Sequence, residues 1–245
     1  MSFGIVVVGD EILSGKRRDT HFGFAVEALR RRGLALAWAR FVGDDHDLLV
    51  QTYRETLASG AVVFSFGGIG GTPDDITRQC AAEAFGLALE PHPEAMEILR
   101  EKFGDDLHPH KVRMAEFPVG AELIPNPVNR IAGFSIRHHH FVPGFPDMAH
   151  PMVTWVLDRH YADRFGEPVV ELRIVAEAPE SRLIEAEEAI VARFPEVRLS
   201  SLPNTGDRQR VDLGLRGERN DVERAMVALK GMLDAAGIGW REVAQ

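Results

Sequence analysis

Cysteine is all but missing from this chain. Cys80 stands alone, so neither an internal disulfide nor a Cys-x-x-Cys metal or redox pair can form, which fits a reducing compartment. No run approaches the roughly 18 consecutive apolar residues that a spanning helix needs. The N-terminal stretch reaches Asp10 and Glu11 after a short apolar run, without the basic start or the length of a secretory leader. A cytoplasmic protein with no membrane partner is expected. Positive charge is also in deficit: 28 Lys and Arg stand against 37 Asp and Glu, a net charge of −9. The field of such a chain repels phosphate polymers, so no nucleic-acid partner is expected. What is present is ordinary globular composition, 45% hydrophobic and 27% charged, over 245 residues, enough for one large or two modest domains.

Histidine disappears after His160, and the Gly- and Pro-bearing stretch from Tyr161 to Pro168 marks a boundary near Phe165. Two domains, residues 1–165 and 166–245, are therefore expected. In the first, Ile5–Val8 reads as a strand buried on both faces. Phe22, Val26 and Leu29 recur at helical spacing up to Gly33, and Leu34–Val42 reads as a second strand. A helix opened by Asp44–Asp47 with Leu49, Tyr53 and Leu57 on one face leads to a third strand, Ala61–Phe66. Strands alternating with helices of this length imply parallel βαβ crossovers and a Rossmann-like α/β three-layer sandwich.

In the second segment, Val169–Val175, Val197–Leu202, Gln209–Leu215 and Ile238–Val243 read as strands, with turn formers at Pro203–Asp207. Leu183, Ile190 and Phe194 form one helical stripe. Val222, Met226, Leu229, Leu233 and Ala236 form another, with Asn220 as cap and Glu223 completing a capping box. The order βαββαβ is a small α+β, ferredoxin-like arrangement, a fold that by itself predicts no function.

The chemistry concentrates after the third strand, in Gly67-Gly68-Ile69-Gly70-Gly71-Thr72-Pro73-Asp74-Asp75-Ile76-Thr77. Four glycines in five positions allow positive φ and let a ligand approach the main chain. Thr72 as N-cap and Pro73 at the first helical position would aim a helix N-terminus at the sheet edge, where open α/β folds bind anions. The plainer alternative is a tight strand-to-helix turn with Asp75 as the capping acid of Thr72. The loop is neither a Walker loop nor Gly-x-Gly-x-x-Gly. Carboxylates beside a phosphate loop are electrostatically costly unless a divalent cation intervenes. Asp10-Glu11 and Asp44-Asp45 end the first and second strands, so all three acidic pairs can meet on one edge of a parallel sheet.

These motifs, together with Pro125-Asn126-Pro127 and Pro143-Gly144-Phe145-Pro146, are similar in order and spacing to the molybdopterin-binding (MoaB/Mog) domain family. The likeness covers about residues 3–160 and is greatest to the version that opens the competence/damage-inducible CinA proteins. The βαββαβ segment resembles the small middle domain of those proteins. Their C-terminal amidase domain finds no room here, so deamidation of nicotinamide nucleotides is not expected. By motif, Asp44 and Asp75 correspond to the acids that molybdopterin-inserting relatives require for molybdenum transfer. In CinA-type relatives the same pocket is associated with divalent-metal-dependent hydrolysis of ADP-ribose. Phe66 and Gly71 stand where threonine and proline are usual.

The resemblance implies the following set. Asp44 and Asp75 hold a divalent metal (Mg or Co) or water and are the catalytic pair. Gly68, Gly70 and Gly71 bind phosphate. Gly9, Asp10, Glu11, Gly67, Thr72, Asp74, Pro143 and Gly144 complete the ligand site. The expected partner is a nucleotide or pterin pyrophosphate, molybdopterin included, and the function that of a metal-dependent pyrophosphatase, a molybdenum cofactor assembly protein or a nucleotide sensor. The relatives also imply a homo-oligomer, a dimer before a trimer, with Trp155 as a surplus apolar residue beyond the stripe Met148, Met152 and Val156.

Three sharper-looking features carry less. His138-His139-His140 cannot aim three side chains at one ion from a strand and reads as an exposed hairpin end. Asp147 reads as the N-cap of the helix after the proline-rich loop. Gly214-Leu215-Arg216-Gly217 matches a Gly-x-x-Gly string but falls between a strand and a helix, in a segment with more acidic than basic residues, so RNA binding is not expected.

Overall fold

The computed structural model describes residues 2–204, 206 and 209–243. The chain divides into two units, one running to Leu29 and resuming over Ala35–Phe165, the other made of Arg30–Leu34 and the chain from Gly166 onward.

In the first unit, β1 (Phe3–Val8) is followed by the short α1 (Asp10–Leu13), α2 (His21–Arg30), β2 (Leu36–Val42), α3 (His46–Ser59), β3 (Val62–Phe66) and α4 (Thr77–Phe85). Next come β4 (Leu89–Pro91), α5 (Pro93–Phe103), α6 (Pro109–Val112), β5 (Glu116–Pro118), β6 (Glu122–Ile124), β7 (Gly133–Ile136), β8 (His139–Val142) and α7 (Pro146–His160). Six strands form one sheet in the order β2-β1-β3-β8-β7-β6, while β4 and β5 pair apart from it. β2, β1, β3 and β8 run parallel, and β7 pairs antiparallel with both β8 and β6, so it alone is reversed in this sheet. All six residues of β1 and all five of β3 are buried. Their continuous apolar runs thus mark the sheet interior, covered by helices on both faces. The edge strand β2 is only partly covered, and Val42 is its one buried residue.

Local chemistry sets the helix ends. The Asp45 side chain accepts a hydrogen bond from the Leu48 N–H at 2.9 Å and starts α3, and Gly60 ends it. Tyr53, Leu49 and Phe141 are buried in the main core beside Val6 and Phe134. α2 buries His21, Ala25, Ala28 and Leu29, so the face expected from Phe22 and Val26 is rotated: Phe22 is exposed and Val26 only half-buried.

The second unit has β9 (Val170–Ala176), α8 (Ile184–Arg193), β10 (Arg198–Pro203), β11 (Val211–Gly217), α9 (Arg219–Ala235) and β12 (Trp240–Glu242). The sheet order is β10-β11-β9-β12 with every pairing antiparallel, the ferredoxin-like arrangement. α9 lays Val222, Met226, Leu229 and Leu233 on the sheet as expected, whereas Ala236 is exposed beyond its end. The cap is Glu218 and makes no side-chain hydrogen bond. Asn220 therefore lies inside the first turn, and with no N-cap side chain engaged there is no capping box for Glu223 to complete. Gly214–Gly217 lies within β11, not between a strand and a helix. Of the turn expected at Pro203–Asp207, Thr205 and Asp207 lie outside the described residues. Among the described residues, no helix is long and apolar enough to cross a membrane.

Candidate functional site

The parallel strands bring their C-terminal ends to one edge, and the segments that follow build the pocket. Gly9, after β1, donates its N–H to the Val42 carbonyl at 3.0 Å, tying the ends of β1 and β2 together. The acids beyond them engage each other: the Asp10 N–H donates to Asp44 Oδ2 at 3.0 Å, and the Asp44 N–H donates to Asp10 Oδ1 at 3.2 Å. Gly67, after β3, donates to the Val142 carbonyl of β8 at 3.0 Å, joining the glycine loop to the Pro143–Phe145 segment. Gly67 and Gly68 adopt φ of 101° and 69°, which other residues reach only with strain. A methyl group on Gly68 would overlap Thr77 Oγ1, so the loop lies directly on the first turn of α4.

That helix begins later than the sequence suggests. α4 starts at Thr77 with Ile76 before it, so Thr72 does not cap a helix and Pro73 is not its first residue. Thr72–Asp75 is a turn instead, closed by the Asp75 N–H on the Thr72 carbonyl at 3.1 Å. Asp75 Oδ2 accepts from the Thr72 N–H at 2.8 Å and from the Thr72 hydroxyl at 2.5 Å. The expected Thr72–Asp75 pairing is real, but it stabilises a free-standing turn whose acid remains at the pocket.

Beneath the loop sits a group that sequence reading passed over. Arg78 is buried and donates from Nη1 to the Ile69 carbonyl at 2.5 Å, holding the middle of the loop. Burial pulls its guanidinium down to about 10, so it is still charged at neutral pH, with Asp75 and Glu116 as the nearby anions that favour the charge. An arginine in the first turn of a helix otherwise rich in alanine gave no periodic signal of this role.

The resulting cavity has a volume of about 430 Å³. Gly9, Glu11, Asp44, Gly67, Gly68, Gly70, Gly71, Thr72, Asp74, Asp75, Pro143 and Gly144 all line it. Asp10 does not: its carboxylate is turned to the Asp44 N–H. Four carboxylates face the cavity, and Arg17 is the only basic residue among its described lining residues. Partial burial pushes the Asp44 carboxyl up, the Asp10 N–H opposes that, and the charges of Asp10, Glu11 and Asp74 add to the rise. Among the described residues no three His, Cys, Asp or Glu side chains close around one point to form a metal cage.

The rest of the cavity wall was only partly foreseen. Met114, Asn126, Asn129, Ile131, Ala132, Phe145 and Met148 line it. Pro125-Asn126-Pro127 was the available signal for the Asn126 loop; nothing pointed to Arg17. Asn126 Oδ1 accepts from the Val128 N–H at 3.0 Å while Nδ2 donates to the Ile131 carbonyl at 3.1 Å, which fixes the loop that carries Asn129 and Ile131. Phe145, not Asp147, precedes α7. No side chain caps it, and Asp147 is an acid of its first turn.

The histidine triplet does not line this pocket; it lies at the end of the β7–β8 hairpin, as expected, but is exposed only in part. His139 and His140 are buried on β8, and only His138 is exposed. His139 Nε2 bonds Thr56 Oγ1 at 2.9 Å on one face, while His140 bonds Ser135 Oγ and the Tyr161 hydroxyl, both at 2.8 Å, on the other. The two rings thus point apart, as strand alternation requires.

Residues 4–162 match the family model described as "Probable molybdopterin binding domain". A "CinA-like protein" of Anaeromyxobacter sp. (strain K) is 36% identical over 190 residues, covering 74% of this chain and 46% of that protein. A "CinA-like protein" of Citrifermentans bemidjiense is 32% identical over 218 residues, covering 81% and 53%. The chain therefore spans about half the length of these curated relatives. Among solved structures, the "protein CinA with unknown function" from Thermoplasma acidophilum superposes with a TM-score of 0.60 at 27% identity, over 64% of this chain and 98% of that one. On the glycine loop, the acids at the strand ends and these matches, the chain belongs to the molybdopterin-binding (MoaB/Mog-type) domain family, among its CinA-like members.

Proposed function

We propose that the pocket binds the pyrophosphate of a nucleotide or pterin and, with a divalent metal ion, hydrolyses it, ADP-ribose or a similar dinucleotide being the substrate. The observation that carries this reading is a charge imbalance. A glycine loop suited to an anion faces Glu11, Asp44, Asp74 and Asp75, with Arg17 as the one basic lining residue. A pyrophosphate is repelled there unless a cation lies between. The donors are hard carboxylate oxygens in an incomplete set, which suits Mg²⁺, since that ion keeps several waters and takes one or two carboxylates together with ligand phosphates. Asp44 and Asp75 are the residues that would hold it.

A bound divalent ion would neutralise and polarise the pyrophosphate oxygens. The backbone N–H groups of Gly68, Gly70 and Gly71 bind the phosphates, and the buried Arg78 adds positive potential beneath them. Asp75, one oxygen of which is engaged by Thr72, keeps the other to orient a water for attack on phosphorus. The P–O–P bond then breaks, giving AMP and ribose 5-phosphate from ADP-ribose. The family description favours a second reading, molybdopterin binding in cofactor assembly, in the same pocket.

The test is a ligand panel of ADP-ribose, molybdopterin and adenylylated molybdopterin, read by thermal shift with and without Mg²⁺ or Co²⁺ and by AMP release. A ligand at 100 times its dissociation constant adds about 2.7 kcal/mol of stability. Metal-stimulated AMP release is expected. A metal-dependent shift with ADP-ribose but no turnover would leave a nucleotide sensor. A shift with the pterins alone would leave the cofactor-assembly reading.

A further inference from the structure

Besides the glycine loop and its acids, the cavity is lined by Met114, Ile131, Ala132, Phe145 and Met148, and by two amide side chains that are already engaged. Asn129 Oδ1 accepts from the Ile131 N–H at 2.9 Å, and its Nδ2 contacts Met148 Sδ at 3.1 Å. Asn126 likewise has both side-chain ends engaged with its own loop. At the mouth stands Phe145, 55% exposed although it precedes a well-packed helix. The Arg17 guanidinium lies 5.6 Å from the centre of its ring and 4.0 Å from Glu11 Oε1, and Arg17 also lines the cavity, so the ring stands beside the acids.

An exposed phenyl ring at a pocket mouth, already paired with a guanidinium, gains by taking a flat π-system on its face. Arginine planes and aromatic rings both stack on heterocycles, whatever the pattern of donors and acceptors at the heterocycle edge. Nothing in the internal packing accounts for the exposure: α7 buries Ala149, Met152, Val153, Val156 and Leu157 without it. Building on the pyrophosphate reading, we propose that Phe145, assisted by Arg17, is the stacking platform for a flat heteroaromatic ring carried by the ligand. Both asparagine Oδ1 atoms and one N–H of each amide are engaged by their own surroundings, so recognition rests on the ring face: the platform selects for the presence of such a ring and tolerates exchange of one ring for another.

The proposal separates from the pyrophosphate reading in one titration series. Dissociation constants are measured calorimetrically in Mg²⁺ for ADP, GDP and inorganic pyrophosphate, on the full chain and on Phe145→Leu and Phe145→Tyr. A stack on one aromatic ring makes a difference of about tenfold in affinity. ADP and GDP are expected to bind within about threefold of each other and about tenfold more tightly than pyrophosphate. Phe145→Leu is expected to weaken both nucleotides about tenfold and leave pyrophosphate unchanged, and Phe145→Tyr to restore them. Pyrophosphate bound as tightly as ADP, or Phe145→Leu weakening all three ligands alike, would overturn the platform while leaving the pyrophosphate site standing. A wild-type chain that binds none of the three in Mg²⁺ overturns both. Leu at this exposed position leaves the core intact, and an unchanged melting temperature verifies that.

Discussion

Acidification from pH 7.5 to 5 should destabilise the first unit through the two buried histidines of β8. Burial is the leading cause of both shifts, holding the folded-state values at about 4 for His139 and about 3 for His140, against 6.5 for an unperturbed imidazole. Neighbouring His138 and Arg137 push His139 the same way, and His160, His139 and His138 do so for His140. Both folded values lie below the unfolded one, so the unfolded chain takes up protons first as the pH falls. Stability is full above about pH 7.5 and declines from pH 6.5 toward each folded value, by up to about 1.4 kcal/mol per unit per histidine. At pH 5 that amounts to about 2 kcal/mol each and about 4 for the pair, a large part of a typical 5–15 kcal/mol stability. Urea unfolding across this range measures it, with His139→Gln/His140→Gln as the control. Glutamine keeps a hydrogen-bonding end but cannot gain charge, so the double variant should lose about 4 kcal/mol less than wild type over the interval, whatever its stability at neutral pH. Carboxylates contribute equally to both proteins and cancel. Equal losses, or an imidazole resonance from either residue titrating near 6.5 in the folded state, would refute the reasoning.

Asp75→Asn is expected to abolish metal-stimulated turnover while the melting temperature moves by only a few degrees, because the amide oxygen can still accept from the Thr72 N–H but carries no charge; turnover retained with a large fall in melting temperature would leave only the turn-stabilising role. Gly68→Ala should lose about 1–2 kcal/mol in urea unfolding from its positive φ alone, and weaken pyrophosphate binding because its methyl meets Thr77. A chain ending at Phe165 should fold and keep the ligand, since every pocket residue precedes that point, and circular dichroism with a thermal-shift titration checks it. For association we propose a homodimer, with half-exposed Trp155 at the contact; light scattering that gives the mass of one 27.1 kDa chain, with and without ligand, would return Trp155 to the monomer surface.

The parts of the fold legible in the sequence are those where one residue property decides the outcome. Ile5–Val8 and Ala61–Phe66 read as buried strands because only a strand covered on both faces sustains such runs, and both became neighbours at the centre of the sheet. The α9 stripe was equally clear, since a helix on one face of a sheet has to be amphipathic. Helix starts were less legible. Thr72-Pro73 and Asp147 carry the right residue types for N-caps, but local preference yields to the loops around them: α4 starts after a turn that Thr72 and Asp75 close between themselves, and α7 is begun by Pro146 with Phe145 held at the cavity mouth. The histidine triplet misled for a related reason. Polarity argued for exposure, yet each buried ring finds partners, Thr56 for His139 and Ser135 with Tyr161 for His140, and such distant pairings leave no trace in local sequence.

The same distinction explains why one wall of the site could be read and the other could not. Acids at the ends of three parallel strands converge by topology alone, whatever their side chains do later. Asp44, Glu11 and the glycine loop accordingly line one cavity, while Asp10, placed at the same edge, turns to the Asp44 N–H instead. Strand order can bring a residue to an edge; only the hydrogen bonds made there decide which way it faces. Arg17, Asn129, Ile131 and Met148 reach the cavity from loops and a helix start whose courses depend on packing, and Arg78 acts from beneath. The physical expectation is thus that phosphate binding is set by the fold, while Phe145 and Arg17 ask for a flat ring on the ligand without fixing which ring it is.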